Sequence, residues 1–246
     1  IDSLTVTSNF NGAPISCNGA SNGEITVVAT GGSAPLKYSI DNGASFQTTP
    51  IFNGLIAGNY TIRVVDANGC SAESTIELLE PEKIQLQVLD VYNPTCYGSP
   101  SGRLSVQITG GTPDSAGNYT YRWSNGATSL NQIDLLAGTY AITITDSNNC
   151  TEIYSVTITQ PQELKFTYTK TAVLCFGENS GSITLNPTGG VPGYTYQWFK
   201  DGVEFTDDST ATNLESGIYE AIIKDQLGCY YSEKITVDTP TALTIK

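Results

Sequence analysis

Through most of this chain, apolar and polar residues alternate with a period of two. Tyr60-Thr-Ile-Arg-Val-Val, Tyr140-Ala-Ile-Thr-Ile-Thr and Tyr219-Glu-Ala-Ile-Ile-Lys each place every second side chain on one face. Thr75-Ile-Glu-Leu-Leu and Ser155-Val-Thr-Ile-Thr do the same. That spacing predicts half-buried β-strands, and the abundance of β-branched and aromatic residues agrees with it. The breaks carry turn chemistry: Asn42-Gly43, Asn125-Gly126 and Asp201-Gly202 follow predicted strands and read as hairpin turns. No segment sustains a helical period.

The pattern occurs three times. Cys17, Cys96 and Cys175 recur at a step of about 79 residues, each followed two positions later by glycine. Each then leads into an alternating segment and a Gly-Gly pair: Gly31-Gly32, Gly110-Gly111 and Gly189-Gly190. Leu-x-x-Gly-x-Tyr follows, ending at Tyr60, Tyr140 and Tyr219, then Asp66, Asp146 and Asp225, then Cys70, Cys150 and Cys229, and a closing proline at 81, 161 and 240. We therefore divide the chain into repeat 1 (1–81), repeat 2 (82–161) and repeat 3 (162–240). Residues 241–246 match the first strand of the preceding copies and read as the start of a following repeat, so the chain reads as an excerpt of a longer array.

Each copy offers six or seven short strands, which predicts an all-β fold: three tandem immunoglobulin-like β-sandwich domains in an extended array. The Leu-x-x-Gly-x-Tyr element suits the corner where a tyrosine hydroxyl bonds back to the chain. Trp123 and Trp198 suit a central core position, with Ile40 at that place in repeat 1.

Composition narrows the function. The net charge is −13, with 24 acidic and 11 basic residues and no histidine. Such a surface repels nucleic acid, and no apolar run is long enough to insert in a membrane as a helix. No Ser-based elbow, histidine or recurring carboxylate pair supports catalysis, so the chain reads as not an enzyme. Asp66, Asp146 and Asp225 raise the question of calcium, but calcium takes six to eight oxygens. A turn aspartate bonding its own backbone is the simpler expectation, and no cofactor is expected.

Six cysteines without a CxxC pair or histidine predict disulfides and an oxidising compartment rather than zinc. The simplest unit is self-contained, with bridges Cys17–Cys70, Cys96–Cys150 and Cys175–Cys229. Geometry offers another outcome: if the two cysteines of a copy lie at opposite ends of the sandwich, the bridges become Cys17–Cys150 and Cys96–Cys229, leaving Cys70 and Cys175 for neighbouring copies.

The combined run Cys-x-Gly, Gly-x-Ile-Thr-Val, Gly-Gly, Tyr-x-Tyr-x-Trp-x-x-Gly, Leu-x-x-Gly-x-Tyr and Asp-x-x-x-Cys resembles the SprB repeat. Tyr119-Thr-Tyr-Arg-Trp-Ser-Asn-Gly126 and Gly138-Thr-Tyr-Ala-Ile-Thr-Ile-Thr-Asp-Ser-Asn-Asn-Cys150 show it best. The resemblance implies a large surface protein of gliding Bacteroidota, exported by the type IX system and displayed on the outer surface of a Gram-negative cell. It implies a structural or adhesive role, with neighbouring repeats and a surface polysaccharide as partners. The alternative is a carbohydrate-binding array using exposed aromatics near the cysteines: Tyr97, Phe176, Tyr230 and Tyr231. Asp-Ser pairs ending at Ser3, Ser115 and Ser209 match a Bacteroidota O-glycan acceptor pattern. Asn59-Tyr-Thr and Asn118-Tyr-Thr match the N-glycan one.

Overall fold

The computed structural model describes residues 1–245, and among them every regular element is a strand. Lys246, the last residue of the 241–246 segment, lies outside the described residues; Thr241–Ile245 forms no strand. In repeat 1 the strands are β1 (Ser3–Val6), β2 (Gly23–Val28), β3 (Lys37–Ser39), β4 (Ile51–Leu55), β5 (Gly58–Val65) and β6 (Ser71–Leu78). Repeat 2 supplies β7 (Gln85–Tyr92), β8 (Gly102–Thr109), β9 (Thr120–Trp123), β10 (Gln132–Leu135), β11 (Gly138–Thr145) and β12 (Thr151–Ile158). Repeat 3 supplies β13 (Lys165–Thr171), β14 (Gly181–Thr188), β15 (Thr195–Lys200), β16 (Val203–Thr206), β17 (Thr210–Leu214), β18 (Gly217–Lys224) and β19 (Tyr230–Val237).

Each copy builds the same two sheets: β1-β2-β4 with β3-β5-β6, then β7-β8-β10 with β9-β11-β12, then β13-β14-β17 with β16-β15-β18-β19. The paired strands in repeats 1 and 3 are all antiparallel. The extra strand β16 exists because Asp201-Gly202 makes a tight hairpin, with φ of 52° and 81°. Such left-handed pairs match the twist of the strands they join.

By mutual contact the residues fall into two units, and the division passes through repeat 2. One unit holds Ile1–Leu89, Ser105–Leu130 and Tyr140–Val156. The other holds Asp90–Leu104, Asn131–Thr139 and the chain from Thr157 onward. In the first, Val27 and Phe52 from one sheet of repeat 1 pack on Tyr38, Ile62 and Val64 from the other, with Ile40 against the cluster. In the second, Phe166, Ile183, Leu185 and Leu214 meet Trp198, Ala221, Ile223 and Ile235. Ile62, Val64, Ala221 and Ile223 are every second residue of the alternating segments, so the sandwich follows from period two plus burial of one face. Trp123 and Trp198 are both fully buried, and Tyr60 and Tyr219 donate their hydroxyls to the carbonyls of Ile56 and Glu215, closing the corners foreseen in the sequence.

Candidate functional site

The recurring landmarks converge on two loops per copy. The first, which we call the cysteine loop, joins the first two strands and carries Cys17, Cys96 or Cys175. The second, the aspartate turn, joins the last two strands and carries Asp66, Asp146 or Asp225 with the second cysteine.

The aspartate turn has one geometry in all three copies. Asp66 Oδ1 accepts the amides of Asn68 and Cys70 at 2.9 and 2.8 Å, and Oδ2 accepts Ser33 N–H at 3.0 Å. Asp146 does the same for Asn148, Cys150 and Thr112, and Asp225 for Leu227, Cys229 and Val191. Both oxygens are thus engaged by backbone amides, the turn role expected of these aspartates. These bonds, the one from Ser33 foremost, hold the Asp66 carboxyl below its ordinary range. The third bond explains a landmark that sequence reasoning left unassigned. The residue after each Gly-Gly pair is its donor, so the glycines and the aspartate form one structural unit. A Cβ on Gly110 would sit 2.1 Å from the Lys83 carbonyl oxygen, so the pair also lets the incoming chain pass close.

The cysteine loop is held by its own copy. Asn22 Oδ1 accepts Ser16 N–H, and Ser180 Oγ accepts Leu174 N–H at the matching place in repeat 3. The Cys-x-Gly turn closes through Ala20 N–H to Cys17 O, Ser99 N–H to Cys96 O and Glu178 N–H to Cys175 O. Glu80 and Gln160 side chains accept the amides of Gly19 and Gly98.

Among the described residues the bridges are Cys17–Cys150 and Cys96–Cys229, each spanning 133 positions. The self-contained pairing Cys17–Cys70, Cys96–Cys150 and Cys175–Cys229 is therefore corrected. The reason is the register. Gly23 pairs with Leu55, so β4 ends beside the cysteine loop and β5 starts there. β5 then carries the chain through eight residues, roughly 26 Å, before reaching Cys70. Bridged Cα atoms must lie within about 7 Å. Gly181–Leu214 and the eight residues of β18 impose the same separation in repeat 3. The cysteine loop instead meets the aspartate turn of the following copy, with Cα–Cα distances of 5.7 and 5.6 Å.

Polar contacts surround the first bridge. Asn148 Nδ2 donates to the carbonyls of Phe10 and Ser16, and Asn11 Nδ2 donates to Asn148 Oδ1 at 2.7 Å. In the second, Leu227 stands at the place of Asn148, and the Cys229 sulfur lies 3.3 Å from the Thr95 carbonyl. Cys70 and Cys175 are exposed and unbridged.

The remaining candidates separate. Tyr97, Tyr230 and Tyr231 line one cleft of about 350 Å³ beside Cys96–Cys229. Tyr97 and Tyr230 are exposed there, whereas Tyr231 is half-buried and packs edge-on against Phe166. Phe176 lies on the cysteine loop of repeat 3, 63% exposed. Ser3, Ser115 and Ser209 are all exposed. Among the described residues no cluster of three or more His, Cys, Asp or Glu side chains is placed to hold a metal ion.

The family model for the SprB repeat matches residues 9–45, 88–128 and 167–201, one segment in each copy. Three segments of the chain thus match the SprB repeat. Each matched segment begins near the cysteine loop of its copy and includes that copy's Gly-Gly pair. The chain also resembles solved immunoglobulin-domain arrays. The three N-terminal domains of the outer capsid protein Hoc of bacteriophage RB49 are 14% identical, with a TM-score of 0.39, over 96% of this chain and 95% of that one. The titin I-band fragment I67–I69 is 14% identical, with a TM-score of 0.37, over 97% and 99%. None of the curated proteins compared matches the chain.

Proposed function

We propose that this chain is a force-bearing segment of a large secreted cell-surface adhesin, in which each SprB repeat is covalently tied to the next, and that its parent supports surface attachment or gliding. The observation that carries this reading is the pair of bridges running from one copy to the following copy. A disulfide inside a domain guards that domain alone. A disulfide between copies gives tension a covalent path that bypasses the strand ladders. The type of cysteine pairing also fits an oxidising, extracellular setting. Backbone hydrogen bonds occupy Asp66, Asp146 and Asp225, so these recurring carboxylates serve the fold, and we assign the segment a mechanical role.

A second reading rests on the cleft shared by Tyr97, Tyr230 and Tyr231, whose aromatic faces suit the apolar side of a sugar ring. One experiment separates the two. Beads coated with the chain are driven by flow over glass, agar and bacterial surface polysaccharide. The spacer reading predicts retention no higher than an albumin control. Retention on polysaccharide that Tyr97→Ala and Tyr230→Ala abolish establishes the binding reading instead. O-glycans at Ser3, Ser115 or Ser209 belong to the same proposal and are read by intact-mass analysis of the native protein.

A further inference from the structure

We infer that repeat 3 carries a docking surface of its own at the hairpin of β15 and β16, and that its occupant is an extended segment of a partner protein in which apolar residues alternate with lysine or arginine. This surface is independent of the bridges and of the mechanical role.

Only one copy has it. β16 has no counterpart among the strands of repeats 1 and 2. On the outer face of its sheet stand Phe199 and Ile218, where repeat 1 carries Asp41 and Asn59 and repeat 2 carries Ser124 and Thr139. The three copies share one sandwich, so the fold does not require apolar residues at those places. Ile218 is 60% exposed, and Val203 and Phe205 on β16 are 68% and 43% exposed. Exposed apolar side chains grouped in this way mark an interaction site.

The hairpin lies between two clefts. Phe199 and Lys200 are neighbours in β15 and so point to opposite faces of the sheet. The cleft on the Lys200 side, about 420 Å³, is lined by Val203, Phe205, Leu214 and Tyr219. Phe205 is the residue left over where the register shifts between the pairs Trp198–Thr206 and Phe199–Glu204, and its ring packs edge-on against Tyr219 at 5.7 Å. The cleft on the Phe199 side, about 360 Å³, is lined by Gly202, Ile218, Glu220 and Lys234. β16 is the outermost strand of its sheet. An extended chain laid along it sends alternate side chains toward the two clefts and meets main-chain groups of the edge.

Charge selects the occupant. Asp201, Glu204, Asp207 and Asp208 crowd residues 201–208, which hold no lysine or arginine. The neighbouring Lys200 is committed to Glu215 at 2.9 Å. A second copy of this chain would bring the same carboxylates to the contact and be repelled, whereas a basic segment is drawn to them.

The test titrates ¹⁵N-labelled full chain with a strand-length synthetic peptide alternating valine and lysine, and with its valine–glutamate counterpart. Amide shifts read by NMR give both place and affinity. This docking predicts saturable shifts centred on β16 and the start of β18, with the lysine peptide binding about tenfold or more tighter than the glutamate one. Val203→Thr combined with Ile218→Asn weakens the lysine peptide roughly tenfold, the loss of buried apolar area, while the thermal midpoint stays in place. Glu204→Gln weakens it roughly threefold, and added salt removes that difference. Equal affinity for the two peptides, shifts spread over all three repeats, full affinity in the double variant, or no shift at any peptide concentration would overturn the inference. Self-association of the chain alone that Val203→Lys abolishes would overturn it in favour of a second copy. The same shifts produced by cellohexaose but not by the peptide would overturn it in favour of a sugar.

Discussion

Serine substitutions at single cysteines change how far the chain stretches, by amounts the connectivity sets. The two bridges interlock, and between the bridged points the polypeptide runs three times: Cys17 to Cys96, Cys96 to Cys150 and Cys150 to Cys229. When every strand has pulled out, the shortest of these, Cys96 to Cys150, limits the extension. The oxidised chain therefore reaches roughly 87 residues of contour, ~310 Å at ~3.6 Å each, against ~880 Å when reduced. Cys17→Ser opens one bridge and adds roughly 25 residues, ~90 Å. Cys70→Ser adds nothing, because Cys70 is unbridged. Optical tweezers with enzymatically attached handles at both termini read these lengths directly. Bridges within each copy give nearly the same oxidised length, so the variants decide: under that pairing Cys70→Ser lengthens the chain by roughly 50 residues, ~190 Å. A gain of that size at Cys70 would refute the connectivity.

Other consequences are thermodynamic. Each bridge closes 133 positions and contributes about 5 kcal/mol through the unfolded chain, so Cys17→Ser and Cys96→Ser each lower the urea midpoint, whereas Cys175→Ser leaves it in place. Trp198 donates its indole N–H to Asp208 O at 2.9 Å, whereas buried Trp123 Nε1 has no partner. Trp198→Phe thus costs about 1–2 kcal/mol more than Trp123→Phe, measured by thermal unfolding. Gly110→Ala forces a left-handed φ on alanine and drives its Cβ onto Lys83 O, destabilising by about 2 kcal/mol or more in the same assay. Hydroxyls of Ser39 and then Ser45 hold the Asp41 carboxyl at about 2. Its folded value lies below its unfolded one, so its contribution is present above about pH 4 and is lost as pH falls toward 2. Asp41→Asn flattens that part of the acid-unfolding curve, followed by circular dichroism.

The fold was largely legible because its signals are local. Alternation, the Tyr60 and Tyr219 corners and the buried tryptophans all follow from spacing within a few residues. The pairing of cysteines was legible only as one of two outcomes, and not the simpler one, because it depends on where a strand ends in space. Sequence shows that Cys17 and Cys70 share a copy. Only the Gly23–Leu55 register shows that β5 then separates them. The tie between the Gly-Gly pairs and the aspartates was likewise invisible, although both recurred, since the donor is a backbone amide of whichever residue follows: Ser33, Thr112 or Val191. Asn148, which braces the first junction, differs from Leu227 in the second and so left no repeated mark.

Disulfide mapping tests the central claim most directly. Trypsin places all six cysteines on different peptides, because Lys37, Arg63, Lys83, Arg122, Lys170, Lys200 and Lys224 fall between them. Native chain is alkylated, digested without reductant and read by mass spectrometry. The account predicts the Cys17 peptide joined to the Cys150 peptide, the Cys96 peptide joined to the Cys229 peptide, and alkylated Cys70 and Cys175 in monomeric chain. The Cys17 peptide joined to the Cys70 peptide would contradict it.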